Sequence, residues 1–109
     1  MLLMTTTETY SPSSFAMAFR EWFGLTRAQA NILAELYAAA GGFRTSRELG
    51  AAAGTAAGSA PFHLVDIRKA LEVEAVDSEP GRGYRLTDEG MAECRDALLR
   101  IGQELLGAA

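Results

Sequence analysis

The chain is poor in the residues that build reactive or cross-linked sites. Its 109 residues hold one cysteine, Cys94, and one histidine, His63. A single thiol forms no internal disulfide and no thiolate metal cage. Carboxylates do not cluster at ligand spacing, and no nucleophile stands in sequence with an orienting base, so enzymatic chemistry, a metal and a cofactor are not expected. Gly81 and Gly83 lie in a loop and do not open a helix after a strand, which excludes a nucleotide-phosphate loop. No apolar run approaches the roughly 20 residues of a membrane span. The start, Met1 to Thr5, lacks the basic and apolar regions of a secretory signal. A cytoplasmic location is expected. An excess of positive charge is missing too, since the net charge is −4, and blanket attraction to nucleic acid is therefore excluded.

What is present is ordinary globular composition, 49% hydrophobic and 22% charged, in a length that suits one domain. Charge is unevenly placed. Residues 1–40 carry −1, residues 41–87 balance six basic against six acidic side chains, and residues 88–109 carry −3. A surface for a polyanion must be local and must lie in the middle segment.

Residues 1–12 are Thr-rich and aperiodic and read as a flexible N-terminal arm. The rest, 13–109, reads as one domain. Ser13 or Ser14 caps a helix that Gly24 closes, with Phe15, Ala18, Phe19, Trp22 and Phe23 at helical spacing. Thr26 and Gln29 form a capping box for a second helix reaching about Ala40. Phe43 and Arg44 allow a single strand rung. Thr45 and Glu48 form another capping box and open a short helix, 46–53. A Gly-containing turn follows. Ser59 is expected to cap the next helix, with Pro61 in its first turn and Leu64, Ile67 and Leu71 facing inward. The period then becomes two from Val73, and Pro80 to Gly83 separates it from a return strand at 84–86, a β-hairpin with Arg82 at its tip. Thr87 or Asp88 caps a last helix, 88–106.

Helix, short helix, turn, helix and hairpin is the order of a helix-turn-helix with a wing. The fold class expected is mainly α: a winged helix-turn-helix, with a three-helix core and a β-hairpin wing over 25–87, and extra N- and C-terminal helices. The chain resembles the winged-helix effector domain of OmpR/PhoB-type response regulators. The resemblance rests on Leu25-Thr26 with Ile32-Leu33 and Leu36, on Gly42 to Leu49, on His63-Leu64 with Ile67-Arg68-Lys69 and Leu71, and on Gly81-Arg82-Gly83-Tyr84-Arg85-Leu86. Val65 and Asp66 stand where that family commonly has basic or polar residues. The opening Leu-Thr, the wing and the trailing helix also resemble MarR-type repressors, less closely.

The resemblance implies sequence-specific binding of double-stranded DNA in transcriptional regulation, in a bacterial or phage setting. Thr55, Ser59, Ala60 and His63 then sit where the third helix meets bases, and Arg44, Arg47, Arg68, Lys69, Arg82 and Arg85 are candidates for phosphate or groove contacts. Arg68 has an alternative partner in Glu72. In the last helix, Met91, Cys94, Leu98, Ile101 and Leu105 repeat at spacings of 3, 4, 3 and 4, a coiled-coil seam of barely two heptads. With Phe15, Phe19 and Trp22 they are the expected interface of a homodimer. Packing of the two helices on each other within one chain is the alternative. A second function stays open: a protein-interaction module or phage-type inhibitor that binds another regulator, RNA polymerase or a defence protein.

Overall fold

A computed structural model describes the backbone of residues 12–108 and the side chains of residues 14–103. Five helices and one two-stranded antiparallel sheet make up the described chain. They are α1 (Pro12–Phe23), α2 (Arg27–Ala38), α3 (Ser46–Ala53), α4 (Ala60–Leu71), β1 (Val76–Glu79), β2 (Gly83–Leu86) and α5 (Asp88–Ala108), with a 3-10 turn at Ala57–Ser59 before α4. The proposed arm lies outside the described residues, apart from Pro12, which already belongs to α1.

Local chemistry fixes most helix starts. At α2 the Thr26 hydroxyl accepts from the Gln29 N–H at 3.2 Å, and the Gln29 amide oxygen accepts from the Thr26 N–H at 3.0 Å. Thr45 and Glu48 repeat the box at α3, at 3.1 and 2.9 Å. Each box satisfies two helix-end donors that would otherwise lack partners. Gly54 closes α3 in the left-handed region, φ 72°, a conformation without penalty for glycine. Thr87 starts α5 by accepting from the Gly90 N–H at 3.1 Å while donating to the Glu74 carbonyl.

The core gathers Ile32, Leu33 and Leu36 from α2, Leu49 from α3, and Leu64, Ile67 and Leu71 from α4, with Val76 and Leu86 closing it from the sheet. Truncating one of these leucines costs about 2–5 kcal/mol. Gln29 ties two helices together at its edge, donating from Nε2 to Asp66 Oδ2 at 2.9 Å. The sheet pairs Val76 with Leu86 and Glu79 with Gly83. Arg44 adds one rung outside β2, exchanging backbone hydrogen bonds with Tyr84 at 2.7 and 2.8 Å.

Three expectations need correction. Ser59 is not a side-chain cap of α4: its hydroxyl donates to the Ala56 carbonyl at 2.7 Å and accepts from the Thr55 hydroxyl at 3.0 Å, folding the 3-10 turn onto itself. β1 begins at Val76 rather than Val73, because α4 ends on Glu72 in the left-handed region and the chain must first turn. Ser13 and Ser14 do not precede the first helix as caps: α1 begins at Pro12 and both serines lie inside it. α1 packs along α2 and α5 of its own chain, and its phenyl rings meet Tyr37 edge-on at 5.1 Å from Phe15 and 5.7 Å from Phe19.

Candidate nucleic-acid interface

Because Ala60, Leu64, Ile67 and Leu71 point inward, α4 turns Pro61, Phe62, Val65, Asp66 and Lys69 outward. Phe62 is 75% exposed and Val65 is 45% exposed. The outer face of α4 is thus open and mostly apolar. Its one carboxylate, on Asp66, is engaged by Gln29. Thr55, Ala56, Ala57 and Gly58 before the helix are exposed and small, which leaves room for a close approach at its N-terminal end.

Of the base-reading candidates, Thr55 is exposed, and Ser59 and His63 are half-buried. Ala60 is fully buried and faces the core, so it is removed from that set. It stands four residues before Leu64, one helical turn down the inward stripe.

The candidate cations of the site divide into two groups. Arg47 on α3 and Lys69 on α4 are exposed and have no ion-pair partner among the described residues. The others are engaged. Arg44 is half-buried, paired with Glu35 at 3.3 Å and donating to the Phe43 carbonyl. Arg68 donates to the Val76 carbonyl at 3.4 Å and so ties α4 to β1. This arrangement differs from both expectations for Arg68, a phosphate contact and a pair with Glu72. On the hairpin, Arg85 holds Asp77 with Nε and Nη2 at 3.3 and 3.2 Å, and Arg82 pairs with Glu79 at 3.5 Å. Both guanidinium groups also lie over the ring of Phe43, at 4.2 Å for Arg82 and 4.8 Å for Arg85.

Phe62, Phe43, Asp77 and Glu79 are therefore part of this surface although sequence reasoning passed over them. Phe62 was detectable as an aromatic residue off the inward stripe of its own helix. The carboxylates were detectable from the hairpin register, which sets Asp77 opposite Arg85.

The expected dimer residues lie elsewhere, on α1 and α5. Phe19 and Cys94 are fully buried in the chain's own core, so neither faces a second copy, a correction with a simple cause. A stripe spaced 3 and 4 serves a helix pair within one chain as well as between two. Phe15, Met91 and Leu98 are partly buried against the same core. Trp22, Ile101 and the neighbouring Leu99, which is 61% exposed, retain outward surface. The Leu105 side chain lies outside the described residues. Burial pushes the Cys94 thiol up to about 12, with the Glu93 charge adding to the shift, so it is a packing residue without thiolate character.

Among the described residues, no helix is long and apolar enough to cross a membrane. A groove of about 560 Å³ lies between α1, α2 and α3, lined by Met17, Arg20, Arg27 and Asn31 among others, and shares no residue with the surface of α4 and the hairpin. No family model, no curated protein and no solved structure matches the chain.

Proposed function

We propose that the chain is a winged-helix regulator of transcription that acts in the cytoplasm by binding double-stranded DNA, with α4 as its reading helix and the β1–β2 hairpin as its wing. One observation carries the reading. Behind α4 lies a core that fixes the helix, while its outer face stays open and a hairpin bearing two arginines follows directly, tied back to α4 through Arg68. A helix has the width of the major groove, and its N-terminal half meets base edges there. Thr55, Ser59 and His63 offer hydrogen-bonding groups at that end. Phe62 and Val65 offer apolar contacts of the kind that meet thymine methyl groups. Arg47, Lys69, Arg82 and Arg85 supply phosphate contacts. With so few cations the salt dependence should be shallow.

Selection from a random duplex pool tests this reading. An enriched site whose affinity falls when its thymines are replaced by uracil supports it; no enrichment at low salt overturns it. Arg82→Ala should weaken binding to every sequence, whereas Ser59→Ala or His63→Ala should change sequence preference.

Pairing of two copies through Trp22, Leu99 and Ile101 belongs to the same proposal, and a two-fold assembly reads half-sites about one helical turn apart. A solution mass of twice 11.6 kDa supports it, and a monomer at micromolar concentration contradicts it.

The exposed Phe62 and Val65 favour a second reading, an interaction module for another protein. It predicts that Phe62→Glu abolishes capture of a stoichiometric protein partner while no duplex is enriched.

A further inference from the structure

The hairpin carries a feature that DNA binding alone does not require: both of its arginines rest on one phenyl ring from another part of the chain. We propose that Phe43 is the positioning residue of a phosphate clamp, and that the Asp77 and Glu79 carboxylates hold the place of the phosphate until one arrives. The proposal rests on the DNA-binding reading and names how the wing grips the backbone.

The geometry begins in the backbone. The Arg44–Tyr84 rung sets the segment 43–45 antiparallel to β2, and the same register carries Phe43 across from Arg85. Only glycine at position 83 permits this approach. A Cβ there would collide with the Arg44 carbonyl, and its φ of 105° is one that other residues rarely adopt. The ring then lies within 4.2 and 4.8 Å of two guanidinium carbons that the hairpin brings together from its tip and its return strand. Guanidinium groups are planar and weakly hydrated, so they stack on a ring without losing their donors.

The carboxylates occupy only part of those donors. Asp77 Oδ2 takes Nε and Nη2 of Arg85, and Glu79 Oε1 takes Nη1 of Arg82. Both ion pairs are exposed, which makes them weak and readily exchanged. A phosphate oxygen presents the same acceptor geometry to the same forks. Exchange of carboxylate for phosphate leaves the arginines where the ring already holds them, so binding pays less to order their long side chains.

The test uses the full chain, a mixed-sequence DNA duplex and inorganic phosphate. Phe43→Leu should lower duplex affinity about tenfold while the fold is retained by circular dichroism, and Phe43→Trp should restore it. Asp77→Asn with Glu79→Gln should raise affinity and steepen its salt slope, by more than Glu21→Gln with Glu93→Gln, which removes the same charge from α1 and α5. In the free protein, the Nε–H resonances of Arg82 and Arg85 should be ring-shifted, should move on titration with phosphate, and should lose both properties in Phe43→Leu. Duplex binding that is unchanged in Phe43→Leu, or weakened by the double carboxylate variant, overturns the clamp and leaves the DNA-binding reading standing. A native chain that binds no duplex but whose two arginine resonances respond to phosphate overturns that reading and supports the clamp.

Discussion

Cys94 on α5 and Phe62 on α4 are both non-polar side chains on helix faces, yet Cys94 has no exposed surface and Phe62 keeps 75% of its own. The contrast extends to the regions around them. On the side of α1 and α5, apolar residues at helical spacing close on each other and on α2. On the side of α4 and the hairpin, the inward stripe is just as well buried, but the outer face keeps Phe62 and Val65 open and the hairpin arranges its charges on a ring. Periodicity reports which stripe of a helix is buried. It does not report whether the buried partner is the same chain or another, nor why an apolar residue is left outside.

Substitutions should separate the two regions sharply. The largest effect belongs to Phe19→Ala, expected to cost about 3–5 kcal/mol in urea unfolding, whereas Phe62→Ala should stay within about 0.5 kcal/mol. Equal losses would erase the distinction. Gln29→Ala comes next, at about 2 kcal/mol, because it removes both the α2 capping contact and the hydrogen bond to Asp66.

The Cys94 thiol gives a chemical version of the same contrast. With its pKa pushed up to about 12 by burial, the native chain should react with a thiol reagent at pH 8 at least ~100-fold more slowly than the unfolded chain. The sign for stability follows. The folded state holds the proton more tightly than the unfolded state, so this contribution is complete below the ordinary thiol pKa and is lost as pH rises through the folded value. Rapid labelling of the native chain would place Cys94 at an open seam.

Glu48 behaves in the opposite sense. Hydrogen bonds from the Thr45 N–H and hydroxyl, with the charge of Arg44, hold its carboxyl below the ordinary value. Its cap of α3 is firm above the ordinary carboxyl pKa and loosens as pH falls through the depressed one. Glu48→Gln should flatten that acid response in thermal melts followed across pH. The smallest expected effect is a gain. Glu72→Gly at the left-handed end of α4 should stabilise by about 0.5 kcal/mol.

Much of the fold was legible because its signals are local. Two capping boxes, the glycine after each of the first and third helices, and the inward Leu64, Ile67 and Leu71 each follow from residues a few positions apart. The candidate site was less legible. Ala60 looked available because it is small and near a helix start, but its turn of the helix faces inward. Ser59 looked like a cap, yet its hydroxyl turns back onto the 3-10 turn. Phe43 became informative only when Gly83 brought it across from Arg85, a contact between residues 42 positions apart. The 3 and 4 spacing of α5 met the same obstacle for Phe19 and Cys94, since it also fits α1 lying on α5.

DNA reading by α4 and the wing is tested by binding to a duplex enriched from a random pool, compared between the native chain and a variant carrying Phe62→Ala and Arg82→Ala, which change the open face of α4 and the wing without touching the core. The native chain should bind in a salt-dependent way, and the folded variant should lose most of that affinity. Equal binding by the two proteins, or no enriched duplex at low salt, would contradict it.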